Sequence, residues 1–397
     1  MTSPRLLALD APAGADEVER FLPHLRAALV GSGQPVMPLP QGPDQVRQRL
    51  VALADFDRPV EYDDIALAVP TSGSTGEPKL ALLSRAALMA SARATHLALG
   101  GSGQWLLALP TTHIAGLQVL IRSIDADTSP CVADVSTGFR PAEFVTAAAA
   151  LQTGPGQRRY TALVPTQLRR LLDAGDAAIG ALSGFDAVLL GGSAVTPPLS
   201  SLAQDAGVNV VQTYGMTETC GGCVYDGVPL DGVQIDLVDE RIVIEGPVLF
   251  SGYRRDATLT AQTLRDGALW TYDRGAFDGH GRLEVLGRLD DVVISGGVNI
   301  DPATVESALA SHPSVAEVAV VGVPDSEWGE RLVAVAVVNA PLSLPELRAH
   351  ARTQLPVAAL PRELVLVGAI PRLGSGKPDR TALRLLSLAD GVDPARP

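Results

Sequence analysis

The stretch Pro70-Thr-Ser-Gly-Ser-Thr-Gly-Glu-Pro-Lys79 combines hydroxyl side chains, glycines and a lysine in one short segment. The apolar run 65–69 before it predicts a buried strand, and Ser84 behind it suits the N-cap of an alanine-rich helix. A loop of this composition between a strand and a helix offers N–H groups and hydroxyls to the oxygens of a polyphosphate, and the lysine adds a positive charge. The candidate phosphate-binding residues are Thr71, Ser72, Gly73, Ser74, Thr75, Gly76 and Lys79.

Two alternatives apply to this stretch. A Walker P-loop would need Ser or Thr directly after the lysine to bind Mg²⁺, but Leu80 follows Lys79. A plain surface loop is the other alternative, because Gly, Ser, Thr and Pro favour loops. The distribution of lysine and arginine favours a binding or catalytic role for this stretch over a plain loop. Among 31 lysines and arginines, the lysines are Lys79 and Lys377, and both lie between glycines and prolines. An ammonium is a compact single-point donor, which a planar guanidinium cannot replace.

Length, composition and charge limit the class of protein. A chain of 397 residues predicts two or more domains. The hydrophobic content of 46% and charged content of 19% are typical of a globular protein. The formal net charge of −13 disfavours nucleic acid or an anionic membrane as partner. The sequence has no apolar run long enough to span a membrane and no signal peptide, so we expect a cytoplasmic protein.

Cysteine and histidine give weaker signals. Cys131, Cys220 and Cys223 are too few for a disulfide framework. The Cys220-Gly-Gly-Cys223 segment has no companion pair or histidine cluster, which disfavours zinc. A redox pair is an alternative, but we favour two small residues that pack a glycine turn. His113 follows the predicted strand 105–109, where open α/β sheets place ligands, and both a structural and a functional role are open.

Repeated strand–turn–helix units predict layered α/β sheets, mostly parallel, for the first part of the chain. Strand 186–190 runs into Gly191-Gly192-Ser193, and strand 208–211 enters the segment 212–219. After Gly222, short β-like runs separated by turns predict an antiparallel module. We therefore expect an α/β plus α+β fold, with a large domain over 1–289 that includes a β module at about 223–287, and a small mobile α+β domain over 290–397.

Six segments occur in the order found in the adenylate-forming superfamily of acyl-CoA synthetases, adenylation domains and luciferases, and the chain resembles that superfamily across residues 70–380. One such segment would be a weak signal, but six in order are specific. The chain is most similar to the o-succinylbenzoate–CoA ligases of menaquinone biosynthesis, above all at 105–110, 113–117 and 213–232. The six segments are the stretch up to Lys79, Tyr214–Glu218, Glu245–Tyr253, Asp273-Arg-Gly275, Gly287-Arg288-Leu-Asp290 and Gly374-Ser-Gly-Lys377.

The resemblance implies a two-step reaction: a carboxylate attacks the α-phosphate of ATP, and the thiol of coenzyme A then displaces AMP. It also implies residue roles at the nucleotide. The first stretch would bind the β- and γ-phosphates, Glu218 would bind Mg²⁺, and Thr217 would approach the α-phosphate. The adenine and ribose would be met by Gly192, Ser193, Tyr214, Gly215, Met216, Asp273 and Arg288.

Further roles follow from the same resemblance. Lys377 would bridge the substrate carboxylate and the α-phosphate, and Asp290 would be the hinge about which the small domain rotates. Gly296 and Gly297 would then face the pantetheine of coenzyme A. His113, Gly116 and Leu117 would line the aromatic ring of the acid, with Arg158 or Arg159 as candidates for its second carboxylate.

The sequence departs from the family at three places, and several alternatives are open. Tyr272 stands where the family usually has glycine, as does Leu80, and the N-terminal region is short. Glu218 could be a helix cap, Asp290 a solvated turn residue, and Gly296-Gly297 a plain loop. The alternative functions are a ligase for another aromatic acid, a free-standing adenylation domain that loads a carrier protein, and a nucleotide sensor without turnover. Small molecules are the expected partners, and a homodimer is left open.

Overall fold

The computed structural model describes residues 4–42, 45–72, 78–151, 154, 157–372 and 378–389. Within these residues the chain forms four sheets from 22 strands, with 12 α-helices around them. The predicted combination of α/β layers with antiparallel and α+β parts is confirmed.

The first sheet contains the ends of the candidate phosphate-binding stretch. Its order is β1-β2-β3-β4-β14; the first three strands are parallel, and β4 is antiparallel to β3 and β14. The elements in chain order are β1 (Leu7–Asp10), α1 (Ala15–Val30), β2 (Val36–Leu39), α2 (Gln45–Ala54), β3 (Ile65–Ser72), β4 (Pro78–Ser84) and α3 (Arg85–Ala98).

Strand β4 contradicts the prediction that the stretch passes from a strand directly into a helix. Lys79 lies on β4 and pairs with Thr71 on β3, so the two ends of the stretch are held in one antiparallel hairpin. Leu80 to Leu83 are all at most 1% exposed, and such a fully buried strand lacks the alternation that would mark it in the sequence. The predicted N-cap is confirmed, because the Ser84 hydroxyl accepts a hydrogen bond from the Ala87 N–H at 3.1 Å.

The second sheet has the order β11-β10-β9-β8-β7-β5-β6 and is parallel from β9 to β6, as predicted. Strands β10 and β11 extend it in antiparallel fashion. Its elements are β5 (Gly103–Leu107), α4 (Ile114–Asp125), β6 (Cys131–Val132), α5 (Pro141–Ala150), β7 (Arg158–Leu163), α6 (Pro165–Asp173), α7 (Asp176–Ser183), β8 (Ala187–Leu190), α8 (Pro197–Asp205), β9 (Val210–Met216), a 3₁₀ turn (Thr217–Thr219), β10 (Gly221–Tyr225) and β11 (Val228–Pro229).

The two sheets are separated by a helical layer. On β5, Trp105 and Leu107 face a core that includes residues of α1, α3, α4 and the first sheet. The alternate residue Leu106 faces a second core formed with α5 to α8 on the opposite side. This alternation follows from the two-residue period of a strand. Because β5 to β9 are parallel, their carboxyl ends lie at one edge of the sheet. The candidate site lies at that edge.

The third sheet is the predicted antiparallel module. Strands β12, β13, β16 and β15 are neighbours in that order, and β17 pairs with the far part of β16. Strand β14 instead pairs with β4 of the first sheet, which ties the two together. The elements are β12 (Gln234–Val238), β13 (Arg241–Glu245), β14 (Gly252–Tyr253), α9 (Ala257–Thr263), β15 (Leu264–Arg265), β16 (Ala268–Phe277) and β17 (Leu283–Arg288).

Arg254, directly after β14, anchors this connection. Its side chain is fully buried, and all five N–H donors of its guanidinium are used. Four of the donors go to backbone carbonyls of the segment after α2, at 2.7–2.9 Å, and one goes to a carboxylate at 2.9 Å. The acceptors are the carbonyls of Ala54, Asp55, Arg58 and Pro59 and the carboxylate of Glu61.

The fourth sheet has the order β19-β18-β21-β20, with β22 parallel to β21. Val320 and Leu332 face one of its cores, and Val321 and Val333 face the other. The division of the chain between residues 289 and 290 stays a prediction. The elements are β18 (Val293–Ser295), β19 (Val298–Ile300), α10 (Pro302–Ala310), β20 (Val315–Asp325), β21 (Gly329–Val338), α11 (Leu344–Ala351), a 3₁₀ turn (Val357–Ala359), β22 (Glu363–Leu366) and α12 (Arg380–Ala389).

Candidate functional site

Glycine-rich backbone lies at the carboxyl ends of β8 and β9. Gly192 adopts a φ of +86° at the end of β8, and Gly192 and Ser193 are both exposed. A side chain at Gly191 would overlap the Thr213 hydroxyl on the neighbouring strand, so glycine is needed for this close approach. The predicted strand 208–211 is in fact longer, because β9 continues to Met216 and places Tyr214 and Gly215 beside these glycines.

A hydrogen-bonded triad joins the second and third sheets beside this backbone. The Tyr214 hydroxyl donates to Asp273 Oδ2 at 2.8 Å, and Arg288 Nη1 donates to Asp273 Oδ1 at 3.1 Å. Asp273 on β16 and Arg288 on β17 are directly paired across the strands. Three residues that are far apart in sequence, each predicted to contact the nucleotide, are thus brought together by the structure.

The triad is electrostatically fixed. Burial and the neighbouring Asp273 carboxylate hold the pKa of the Tyr214 phenol well above its ordinary value, so the phenol stays a donor. Burial opposes the charge of Arg288, but the Asp290 and Asp273 carboxylates outweigh this effect and raise the pKa of its guanidinium. The Asp273 N–H donates to the Thr271 hydroxyl at 3.1 Å, and that hydroxyl donates to the Ile242 carbonyl at 2.7 Å. This contact fixes the backbone below the carboxylate.

The departure at Tyr272 leaves the triad intact. Tyr272 is 50% exposed, whereas its neighbours Thr271 and Asp273 are buried, as the alternation of a strand requires. The Arg241 guanidinium lies over the Tyr272 ring at 5.4 Å from its centroid. The bulky residue therefore points away from the carboxylate.

Asp290, the predicted hinge residue, is bound to the same arginine. Arg288 Nε and Nη2 each donate to one oxygen of Asp290, both at 2.8 Å, in a bidentate pair. One guanidinium thus joins the Asp273 carboxylate of the triad to the residue at the predicted domain boundary. The alternative of a simple solvated turn residue does not account for this pair. The hinge role itself stays a prediction.

Glu218 lies in the 3₁₀ turn after β9 and is only 7% exposed. Its Oε1 accepts a hydrogen bond from the Tyr253 hydroxyl at 2.8 Å. No hydrogen bond reaches its Oε2 from the described part of the chain. The Lys79 ammonium lies 5.7 Å from the centroid of the Tyr253 ring. The structure therefore gathers two predicted residues, Glu218 and Lys79, around a third that sequence analysis placed in a motif but gave no role.

The turn that carries Glu218 and the half-buried Thr217 is held by tight local packing. Thr219 is fully buried, and its hydroxyl accepts from the Met216 N–H at 2.9 Å and donates to the Gly221 carbonyl at 2.7 Å. A side chain at Gly215 would overlap the Gly221 carbonyl. Cys220 closes the turn in the left-handed region, with a φ of +53°.

Cys220 and Cys223 are both fully buried in the core between the two sheets. Burial raises the pKa of each thiol, to about 12 for Cys223. Both thiols therefore stay protonated and unreactive at neutral pH. This supports the packing role that the sequence favoured over a redox pair.

His113 occupies the N-cap position of α4, at the edge of the sheet where the other candidate residues lie. Gly116 in the first turn is packed so closely that a side chain there would overlap the Pro110 carbonyl. Leu117 is fully buried in the core between the sheets. These positions give Gly116 and Leu117 a packing role, and their predicted contact with an aromatic ring stays a prediction.

Helix α4 also buries two polar side chains that sequence analysis missed. Gln118 donates to the Cys220 carbonyl at 2.6 Å, but its buried Oε1 has no hydrogen-bond partner. Arg122, one turn later, is 3% exposed, and its buried Nε also lacks a partner. One signal was available in the sequence: glutamine and arginine interrupt the otherwise apolar run Leu117-Gln-Val-Leu-Ile-Arg122.

Arg122 is a buried cation without an ion pair to any described carboxylate. Its guanidinium lies 5.0 Å from the centroid of the Trp105 ring, and Nη2 donates to the Tyr225 hydroxyl at 3.3 Å. The nearby Asp125 is bound to His96 Nδ1 at 3.0 Å instead. A buried guanidinium without a counter-ion is costly, so the interior has an unmet requirement for an anion.

Arg158 and Arg159, the predicted partners of a second carboxylate, lie elsewhere. They open β7, so about 16 Å of strand separates them from the carboxyl edge of the sheet. Arg159 Nη2 donates to the carbonyls of Ala148 and Leu151 at 2.9 and 3.3 Å. The prediction for these two arginines is wrong, because it rested on charge alone without the direction of the strand.

Gly296 and Gly297 form the turn between β18 and β19, with φ values of +59° and +78°. The Gly296 N–H donates to the Trp328 carbonyl at 2.9 Å, and a Cβ at Gly296 would lie 2.9 Å from the Trp328 ring. The Arg362 guanidinium stacks 3.5 Å from the centroid of that ring. The predicted residues Gly73, Ser74, Thr75, Gly76 and Lys377 lie outside the described residues, as does the side chain of Ser72.

Comparison with known proteins identifies the family. The sequence model described as AMP-binding enzyme matches residues 9–254, and the model of the AMP-binding enzyme C-terminal domain matches residues 304–377. The chain belongs to the AMP-binding enzyme family. The resemblance found in the sequence is confirmed.

Individual relatives extend this result. A probable 2-succinylbenzoate–CoA ligase of Mycobacterium tuberculosis is 45% identical over 382 residues, which cover 95% of this chain and 97% of the relative. The o-succinylbenzoate CoA synthetase of Bacillus subtilis, solved with its acyl-adenylate intermediate, gives a TM-score of 0.73 at 26% identity and covers 96% of this chain and 83% of its own. The structure of the same synthetase with ATP and a magnesium ion gives a TM-score of 0.74 at 25% identity, and the match covers 96% of this chain and 89% of the synthetase chain. Among the described residues of the present chain, no helix is long and apolar enough to cross a membrane.

Proposed function

We propose that the protein is an ATP-dependent acid–CoA ligase that converts 2-succinylbenzoate and coenzyme A into 2-succinylbenzoyl-CoA through an acyl-adenylate, in menaquinone biosynthesis. One observation carries the proposal. Over nearly its whole length the chain is 45% identical to a relative named for this reaction. The arrangement of Glu218, Lys79 and the Tyr214–Asp273–Arg288 triad supports it.

In the first step, a carboxylate oxygen of the acid attacks the α-phosphorus of ATP, and pyrophosphate leaves. Asp273 would accept hydrogen bonds from the ribose hydroxyls, with Arg288 beside it. Gly192, Ser193 and Tyr214 would flank the adenine, and Gly215 and Met216 would continue that surface. Thr217 would approach the α-phosphate. Lys377 would bridge the two reacting groups and stabilise the charge that develops between them.

The residues present fit a magnesium ion that accompanies the nucleotide. Mg²⁺ typically takes one or two carboxylates and the phosphate oxygens of its substrate. Glu218 offers one such carboxylate oxygen, because Oε1 is bound to Tyr253 and no described residue donates to Oε2. The ion would neutralise negative charge on the phosphates. Lys79, Thr71 and the hydroxyls of the segment 72–76 would hold the phosphates from the other side.

In the second step, the thiol sulfur of coenzyme A attacks the acyl carbon, and AMP leaves. Asp290 would act as the hinge, so that the smaller domain removes Lys377 and brings Gly296 and Gly297 to the pantetheine. Such closure motions gate many enzymes. The bidentate Arg288–Asp290 pair would hold one orientation, and rotation about residue 290 would have to break it.

Arg122 is our candidate for the second carboxylate of the acid, in place of Arg158 and Arg159. It lies in α4, whose N-cap is His113, and Gln118 one turn earlier contacts the Cys220 carbonyl next to the Glu218 turn. Arg122 lies nine residues, about 13 Å of helix, beyond His113, so the acid would have to extend into the core between the sheets for its distal carboxylate to reach the guanidinium. The carboxylate of a succinyl chain would accept a hydrogen bond from Arg122 Nε, which has no described partner.

The test is a panel of acids incubated with the protein, ATP, Mg²⁺ and coenzyme A, with products identified by mass spectrometry. We expect 2-succinylbenzoyl-CoA, AMP and pyrophosphate. A thioester from simple benzoates but none from 2-succinylbenzoate would overturn the substrate assignment. Transfer only to a phosphopantetheinyl protein would favour a carrier-loading domain, and absence of pyrophosphate with every acid would favour a sensor.

The free cysteines support the proposed cytoplasmic location, and light scattering would distinguish a monomer from a homodimer.

A further inference from the structure

Tyr253 stands between the two charged groups that the proposed function assigns to the same nucleotide. Its hydroxyl donates to Glu218 Oε1 at 2.8 Å, and its ring lies under the Lys79 ammonium at 5.7 Å. We propose that Tyr253 is a positioning residue that orients the Glu218 carboxylate toward the metal ion of the nucleotide complex and seats Lys79 on its ring face. The inference rests on the proposed function, in which Glu218 binds that ion.

The sheet fixes Tyr253 in this place. Tyr253 on β14 pairs with Ala81 on β4, two residues from Lys79, so Lys79 and Ala81 point to the same face of the strand. Diagonal neighbours of this kind are within reach of aromatic and long side chains. The Tyr253 N–H donates to the Thr260 hydroxyl at 2.9 Å. Strand pairing and this bond set the position of the ring without any ligand.

The same segment also holds the backbone of Glu218. The Phe250 N–H donates to the Glu218 carbonyl at 2.9 Å. The Phe250 and Tyr253 rings pack edge to face, with their centroids 4.9 Å apart. Glu218 is therefore bound at its carbonyl and at one carboxylate oxygen by residues 250–253. With Oε1 engaged, Oε2 is the oxygen left for a cation. Outer partners of this type orient metal-binding carboxylates and are typically worth about 10–100-fold in metal affinity or activity.

The chemistry of Tyr253 suits a permanent donor. Tyr253 is 7% exposed, and its hydroxyl donates to the Glu218 carboxylate at 2.8 Å. A phenol hydroxyl is a hydrogen-bond donor, whereas an ionised carboxylate can only accept. The ring supplies a second, separate contact, because a cation within about 6 Å of an aromatic face is attracted to it.

These two contacts can be separated by substitution. Tyr253→Phe removes the hydroxyl and keeps the ring, whereas Tyr253→Leu removes both. Tyr160→Phe is the matched control, because Tyr160 is also buried and its hydroxyl donates to the Leu99 and Gly101 carbonyls at 3.1 and 3.0 Å, away from Glu218. Any general effect of a lost phenol hydroxyl on stability should appear in both tyrosine-to-phenylalanine variants.

The measurement is Mn²⁺ binding to the enzyme with ATP and no acid, followed by electron paramagnetic resonance, so that no turnover is needed. We expect Tyr253→Phe to weaken Mn²⁺ binding about 10–100-fold while ATP binding without metal, measured by calorimetry, stays unchanged. Tyr253→Leu should also weaken metal-free ATP binding severalfold. Tyr160→Phe should match the wild type in both measurements.

A double-mutant cycle with Glu218→Gln tests whether Tyr253 acts through the carboxylate. We expect Tyr253→Phe to cost nothing further in the Glu218→Gln background, because its effect passes through the charged carboxylate. Equal losses in both backgrounds would overturn the inference, as would wild-type Mn²⁺ binding by Tyr253→Phe. Unchanged Mn²⁺ binding by Glu218→Gln would instead reject the metal assignment within the proposed function. Circular dichroism and the thermal midpoint of each variant confirm that folded proteins are compared.

Discussion

Replacing Arg122 with methionine should change substrate selectivity and leave the fold intact. In the free protein the guanidinium is buried against Trp105 and Tyr225, and no carboxylate among the described residues forms an ion pair with it. If the distal carboxylate of 2-succinylbenzoate binds there, Arg122→Met removes a charge-assisted contact worth about 1.5–3 kcal/mol. At about 1.4 kcal/mol for each factor of ten, kcat/KM for this acid should fall by about 10–150-fold.

The comparison substrate is 2-butanoylbenzoate, which has the same side chain but ends in a methyl group. Its kcat/KM should be unchanged or higher in Arg122→Met, because an apolar end then meets an apolar wall. The free energy of unfolding should be unchanged or higher as well, since burying an unpaired charge destabilises the free protein. Loss of activity together with retained stability is a pattern that simple damage to the core does not produce.

Assays of CoA consumption and AMP formation with both acids provide the measurement, and Arg159→Met is the control. The described side-chain hydrogen bonds of Arg159 go to the backbone carbonyls of Ala148 and Leu151, at the end of helix α5. The ratio of kcat/KM for the two acids should therefore be unchanged in Arg159→Met. Equal losses for both acids in Arg122→Met would refute the reasoning, as would a full retention of activity on 2-succinylbenzoate.

Three further predictions concern other parts of the molecule. Lys377→Ala should slow acyl-adenylate formation by about 10²–10³-fold in a pyrophosphate-exchange assay, and an undiminished rate would reject its assigned role. Burial lowers the pKa of His96 below its ordinary 6.5, so below about pH 6.5 the unfolded chain takes up a proton that the folded chain does not. The free energy of unfolding should therefore fall as the pH drops through about 6.5. His96→Gln should flatten this pH dependence in chemical denaturation, and an unchanged slope would contradict the prediction. Arg254→Met should cost at least about 3 kcal/mol of stability, because Glu61 and four carbonyls lose a buried partner, and a change in midpoint no larger than that of an exposed arginine would contradict this.

Continuous apolar runs predicted several strands of the first two sheets. Strand 65–69 and strand 105–109 were recognisable because a buried parallel strand is apolar on both faces. The same property hid β4, since Leu80–Leu83 leads directly into an alanine-rich helix with no polar break. Helix α4 was also missed, and nine of its twelve residues are buried.

The candidate site was predictable where the resemblance to the adenylate-forming superfamily assigns a role to a residue. Tyr214, Asp273 and Arg288 were selected separately, and the structure joins them. Tyr253 was not given a role because its partner Glu218 lies 35 positions earlier, and only the pairing of β14 with β4 brings them together. The choice between Arg122 and Arg159 required the direction of a strand and the burial of a helix, which composition does not provide.

The way Arg254 is bound has a consequence for how this sequence can drift over evolutionary time. Its guanidinium grips peptide carbonyls of residues 54–59, and every amino acid has that carbonyl. Across orthologues, position 254 should therefore remain arginine while the segment it grips varies almost freely in composition and keeps its length. A single insertion in residues 54–59 should therefore destabilise the protein more than many replacements in that segment.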